Sequence, residues 1–215
     1  GSDFPVPLGG RKPWPHLIPL LGPERTLVKA QPGRSAYESW AAGVRSGAVV
    51  VSNGPLLEFS ADGKGPGAVS SWTGASTTAH GTATAICHRP IEKVEIVVNG
   101  RVVAARTANG TERELSLPFK VPVSESSWIA ARAKAPNREG EPELWAHSNP
   151  VYLLRDGQPV HVEGDRGAVI AKWEEEMKYF QSPELTFASD AQRRELMEKL
   201  ELTLAALRKP APPKP

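Results

Sequence analysis

Cysteine is nearly absent: Cys87 is the only one in 215 residues. A lone thiol excludes an intrachain disulfide and any multi-cysteine zinc site. No run of 18 or more apolar residues occurs, so no membrane span and no membrane partner are expected. No charged-then-apolar leader opens the chain, so no signal peptide is expected within it; the compartment stays open, because exported proteins often lack disulfides too. An excess of one charge is missing as well. With 26 basic and 24 acidic residues the net charge is +2, too balanced for the clustered basic footprint that nucleic acid requires. The five histidines form no HxH or HExxH pair. There is no G-x-S-x-G, so no nucleophile elbow. The glycines of "DGKGPG" lack the Gly-Lys-Ser/Thr ending of a P-loop.

Proline and glycine are abundant, 21 and 19 residues. Proline alone is about twice its usual ~5% share. Many turns, short strands and few long helices are expected. Residues 1–34 show no sustained period and read as extended segment and loop. A short helix is expected over 35–47. Ser35 precedes Glu38 at capping-box spacing, and Tyr37, Trp40, Ala41 and Val44 share one face. Gly47 ends it.

Residues 48–154 carry strand patterns. "AVVVSN" and "LLEFSAD" flank the turn Asn53-Gly54-Pro55, and 64–76 read as a Gly/Ser-rich loop. "HGTATAICH" is strand-like through alternating Thr82, Thr84 and Ile86. "IEKVEIVVNGRVVAAR" is a hairpin: Val94, Ile96 and Val98 alternate, and Asn99-Gly100 suits a type I′ turn. "LSLPFKV" contains Pro118, which lacks a ladder donor and predicts an edge strand or bulge. "SWIAARAKA" and "LWAHSNPVYLL" complete the set. The pattern predicts a mainly β chain: an antiparallel, immunoglobulin-like β-sandwich with a C-terminal two-helix appendage. Residues 155–208 form that helical tail. Val169, Ile170, Trp173, Met177 and Phe180 share one face, Leu196, Leu200, Leu204 and Leu207 another, and "SDAQ" at 189–192 repeats the capping-box spacing. Residues 209–215 are a Pro-rich, disordered end.

Single side chains offer little chemistry. Cys87 and His88 are adjacent, and alternation along a strand would point them to opposite faces, so no thiolate–imidazole pair is expected. Of six tryptophans, only Trp72 in "SSWTG" is a candidate for exposure, and packing is preferred even there; Trp40, Trp128 and Trp173 are assigned to apolar faces.

Taken in order, "GSDFPV", "SAYESWAAGVRSGAVVVSNGPLLEF", "VEIVVNGRVV", "SSWIAARA", "AHSNPVYLL" and "FASDAQRRELMEKLE" form a set that resembles the C-terminal half of CehA/McbA-family metallohydrolases. The resemblance runs from Gly1 to about Leu207. It implies that residues 1–34 are the remnant of a preceding PHP-like metal domain and its linker, and that Gly1-Ser2 is natural sequence. Asp3 would then be a metal ligand from the last strand of that domain, although Phe4-Pro5 stand where a histidine usually follows. The resemblance implies a parent enzyme that hydrolyses an ester, amide, carbamate or phosphoester with water activated by a divalent metal, zinc or manganese. One carboxylate cannot hold such an ion. No cofactor or catalytic residue is therefore expected in this chain alone, and its role would be to cap the preceding catalytic domain. Asn53, Gly54, Arg132 and His147 fall in the resembling motifs and are the pocket candidates. Self-association through an exposed N-terminal segment is also expected. The alternative is a free-standing immunoglobulin-like module that binds carbohydrate or protein, which a row of exposed aromatics on one sheet face would favour.

Overall fold

A computed structural model describes residues 24–136, 143–161, 164–182 and 184–209. The chain divides into two compact units, residues 1–161 and 162–215.

The first unit is a two-sheet sandwich. Its strands are β1 (Arg25–Leu27), β2 (Val50–Ser52), β3 (Leu56–Ala61), β4 (Val69–Trp72), β5 (Thr77–Ile86), β6 (Lys93–Val98), β7 (Arg101–Thr107), β8 (Glu114–Val123), β9 (Ser127–Ala135), β10 (Leu144–Ser148) and β11 (Val151–Arg155). The smaller sheet runs β3-β5-β8, antiparallel throughout. The larger sheet is centred on β9. One side of β9 pairs with β6, which pairs with β7; the other side pairs with β10 and then β11. These last two behave as one strand interrupted at Asn149-Pro150. Beyond the interruption the neighbour changes from β2, antiparallel, to β4, parallel. The β4–β11 pair departs from the all-antiparallel expectation, and β4 lies in the stretch 64–76 read as loop.

Alternation along each strand builds the core. On β8, Leu115, Leu117, Phe119, Val121 and Val123 are buried, with polar residues and prolines between them. β5 turns only small residues inward: Ala79, Gly81, Ala83 and Ala85. Thr82, Thr84 and Ile86 are its other face, so Ile86 is exposed rather than core. The small inner face makes room for Phe59 and Phe119, whose rings stack at 6.2 Å across it. A Cβ at Gly81 would stand 2.0 Å from Ser60 O, so only glycine fits there. Ile129, Ala131, Ala133, Val94, Ile96, Val151 and Leu153 supply the opposing layer from the larger sheet.

The expected hairpin is present. Asn99 and Gly100 both have positive φ, 47° and 81°, as a type I′ turn requires. Pro118 lies on β8, an outer strand.

Helix α1 (Ala36–Ser46) begins with the predicted capping box between Ser35 and Glu38 and ends at Gly47 in the left-handed conformation. Its orientation corrects the assignment of Trp40 to the core. Tyr37, Trp40 and Val44 are exposed, and the buried positions are Ser39 and Gly43. Val28 fills the space beneath the helix; a Cβ at Gly43 would lie 2.2 Å from Val28 Cγ1.

The second unit is a helical pair, α2 (Asp165–Gln181) and α3 (Asp190–Arg208). Met177, Leu200 and Leu204 are buried between them, with Ile170, Trp173, Phe180 and Leu196 packed around. Val169 is half exposed and falls outside this stripe. Trp173 Nε1 donates to Leu200 O at 3.1 Å and Arg166 Nε to Leu207 O at 2.7 Å, tying the helices together. Ser189 caps α3 by accepting from Gln192 N, while Gln192 Oε1 accepts from Ala188 N, one residue before the usual box partner. No described helix is long and apolar enough to cross a membrane.

Candidate functional site

Asp3 lies outside the described residues. The four other candidates fall in the larger sheet or the turn beside it.

Asn53 and Gly54 form the turn after β2. Asn53 clamps the start of β10: its Nδ2 donates to Glu143 O at 3.0 Å, its Oδ1 accepts from Trp145 N at 2.7 Å, and its backbone N–H donates to Trp145 O at 3.1 Å. Gly54 N donates to Ser52 Oγ, which in turn donates to Pro55 O at 2.6 Å. A Cβ at Gly54 would stand 2.7 Å from Leu144 Cδ1. Both residues thus spend their special chemistry on joining β2 to β10.

Arg132 and His147 come together. They are register partners on β9 and β10, and both side chains are on the face away from the core. Glu95 on β6 stands opposite Arg132 on its other side. The row therefore reads Glu95, Arg132, His147, Val51 across four strands. Arg132 Nε donates to Glu95 Oε2 at 2.5 Å, and Lys93 Nζ donates to Glu95 Oε1 at 2.8 Å. Burial pushes the Glu95 carboxyl up, but the hydrogen bonds and charges of Lys93 and Arg132 outweigh it and hold the group below the ordinary carboxylate range. The His147 imidazole has no hydrogen-bond partner among the described residues. In the next row Lys134 faces Trp145 and binds Glu143 at 2.5 Å. The signal for Glu95 was already in "KVEIVV": strict alternation puts Lys93 and Glu95 opposite to Val94 and Ile96.

Exposed aromatics share this face. Trp145 is 41% and Tyr152 37% exposed, and Tyr152 stands opposite the half-buried Trp128. Trp72 packs against the core, the reading preferred for it over exposure, with Arg155 over its ring at 5.7 Å. Cys87 and His88 lie just beyond a strand rather than within one. β5 ends at Ile86, so alternation no longer applies, and Cys87 Sγ lies 3.9 Å from His88 Nδ1. Cys87 itself is buried.

A shallow cleft of about 360 Å³ opens elsewhere in this unit, beside Ser126, Arg155, Asp156 and His161; Asn53, Gly54, Arg132 and His147 do not line it. Among the described residues no three His, Cys, Asp or Glu side chains converge on one point.

Fold and face together define a class: a mainly antiparallel sandwich with an ion-paired, aromatic-bearing outer face, and a helical pair that follows it in the chain. No family model matches the chain, and no curated protein does. Among solved structures, a lytic polysaccharide monooxygenase from Jonesia denitrificans is similar over 43% of this chain and 62% of its own, at 14% identity and a TM-score of 0.27. This chain therefore spans less than two thirds of that protein, and so low a score carries no argument about either fold or activity.

Proposed function

We propose that this chain is the C-terminal sandwich-plus-helix portion of a PHP-like metal-dependent hydrolase acting on an ester, amide, carbamate or phosphoester. In that role it caps the preceding catalytic domain and has no catalysis of its own. The zinc or manganese ion would belong to the preceding domain, with Asp3 contributing one ligand. The observation that supports this reading is the outer face of the larger sheet. Arg132, His147, Trp145 and Tyr152 are exposed there together. Arginine and large aromatics are the residue types enriched where protein surfaces meet.

The test has three arms. The reading frame immediately upstream of Gly1 should carry His-rich metal motifs. In the longer protein, Trp145→Ala or Arg132→Glu should separate the thermal transitions of sandwich and catalytic domain. The isolated 215 residues should retain no stoichiometric Zn²⁺ or Mn²⁺ and should not hydrolyse activated esters above background. Stoichiometric metal, with turnover lost on Asp3→Ala in the isolated chain, overturns the reading.

A second reading, a free-standing carbohydrate- or protein-binding module, draws on the same exposed Trp145 and Tyr152. Their spacing weakens its carbohydrate form. Seven residues of nearly continuous strand separate them, roughly 24 Å at about 3.4 Å per residue. With the polar side chains of Arg132 and His147 between them, they form two separate patches rather than one stacking platform.

A further inference from the structure

Asparagine precedes glycine at three places, Asn53-Gly54, Asn99-Gly100 and Asn109-Gly110. Glycine has no Cβ to shield its backbone nitrogen, so that nitrogen can attack the amide carbon of the asparagine before it. The fold treats the three sites differently.

Asn53 and Asn99 are clamped to other strands. Asn53 Nδ2 donates to Glu143 O, and its Oδ1 accepts from Trp145 N. The nitrogen that would attack it, Gly54 N, donates to Ser52 Oγ at 2.9 Å. Asn99 Nδ2 donates to Ser127 Oγ at 3.1 Å, and its Oδ1 accepts from Trp128 N at 3.0 Å. Both residues are half-buried. Turning either Cγ toward the following nitrogen breaks bonds that join one strand to the next.

Asn109 is exposed and lies in the connection between β7 and β8. Its side chain is held only from within the turn. Oδ1 accepts from Thr111 N at 3.0 Å and from Thr111 Oγ1 at 2.8 Å. These donors travel with the turn when it moves. They also point at the oxygen that becomes negative when a nitrogen adds to Cγ, which is where donors lower a barrier. Nδ2, the group that must leave, has no hydrogen-bond partner among the described residues. Gly110 has φ +94° and nothing within 4 Å of a Cβ built on it, so the turn has room to rearrange.

We propose that Asn109 is the site at which the folded chain deamidates, with water as co-reactant and Thr111 stabilising the oxyanion. Hydroxide takes the proton of Gly110 N, and this nitrogen forms a bond to Asn109 Cγ. The charge passes to Oδ1. As the carbonyl reforms, the Cγ–Nδ2 bond breaks and Nδ2 leaves as ammonia, taking a proton from water. Water then opens the succinimide. Breaking the bond from Gly110 N to Cγ leaves aspartate; breaking the bond from Gly110 N to the backbone carbonyl carbon leaves isoaspartate. Nothing is oxidised or reduced. Either product sets a new carboxylate beside Glu112, which already accepts from Asn109 N at 2.9 Å and from Arg106 Nη2. The isoaspartyl form also adds a carbon to the backbone where β7 of the larger sheet leads to β8 of the smaller.

Ageing the full 215-residue chain in mildly alkaline buffer, followed by tryptic mapping, tests this. The three sites fall in separate peptides, 46–64, 94–101 and 107–113. In the folded chain, peptide 107–113 should exchange its amide for a carboxyl at least about tenfold faster than the other two, the factor expected when a clamp must first be released. In urea the three rates should converge. Comparable rates in the folded chain, faster conversion of either other peptide, or conversion of 107–113 confined to urea overturns the proposal. Thr111→Val removes the hydroxyl donor from an exposed turn. It should slow conversion at Asn109 about threefold in the folded chain and leave the rate in urea unchanged. An equal folded-state rate in variant and parent rejects the oxyanion step.

Discussion

Gly43 on α1 and Val28 after β1 are in such close contact that a single added carbon would stand 2.2 Å from Val28 Cγ1. This contact sets the distance between helix and strand, and it explains why the helix faces solvent with its aromatic side. Gly43→Ala gains about 1 kcal/mol of helix propensity. Overpacking against a stiff β-branched side chain costs about 1–3 kcal/mol. The clash should win, lowering the urea midpoint, and adding Val28→Ala should restore most of the loss.

The Asn99-Gly100 turn gives a test of backbone strain alone. Nothing lies within 4 Å of a Cβ built at Gly100, but its φ is +81°. Gly100→Val should therefore destabilise the sandwich by roughly 1 kcal/mol or more through strain rather than collision. An unchanged denaturation midpoint would show that the turn relaxes to another type.

Asn53 and His147 should separate cleanly in a stability assay. Asn53→Ala removes both side-chain bonds to the β10 region, each worth about 1 kcal/mol where water only partly replaces it. A loss of about 1–2 kcal/mol is expected. His147 makes no such bond, so His147→Ala should stay within about 0.5 kcal/mol. Equal losses for the two would mean that the imidazole has a structural partner.

The ion-paired row predicts an acid limb. The Glu95 carboxyl is held below its ordinary range in the folded state by Lys93 and Arg132, against the opposing effect of burial. Its contribution is present above the unfolded-state value of about 4.3 and is lost as pH falls through the lower folded value. Glu95→Gln should cost about 1 kcal/mol at pH 7, a modest figure because Arg132 is half exposed. The difference between variant and parent should shrink as pH drops below 4. A difference that grows with acid would reverse the assigned direction.

Elements dictated by local chemistry were legible in the sequence. The Ser35–Glu38 box, the Asn99-Gly100 hairpin and the outer position of β8 each follow from residues close together in the chain. β4 was not legible. Its partner β11 lies some eighty residues on, and "VSSW" reads as loop without it. The direction of α1 was also hidden. A helical stripe says which residues share a face, not whether that face meets the core, and here Val28 against Gly43 decided it. Of the candidate site, alternation placed Lys93 and Glu95 on one face, but only the strand register shows Arg132 between Glu95 and His147.

Pro118 and Pro122 carry a consequence for behaviour at high concentration. Long outer strands invite strand addition from other molecules, the first step of sheet-to-sheet aggregation. Neither proline has an N–H, and their equal parity means that both gaps fall on the outward side of β8, with Lys120 between them. The outward carbonyl of Ser116 is taken by Arg106 Nη1 at 2.8 Å. On the larger sheet, the side beyond β10 and β11 is divided between strands of three and four residues, one antiparallel and one parallel. At β8 and beyond β10 and β11 an incoming strand thus finds missing donors, an occupied acceptor or too short a template, and replacing both prolines of β8 with threonine should lower the concentration at which the protein precipitates.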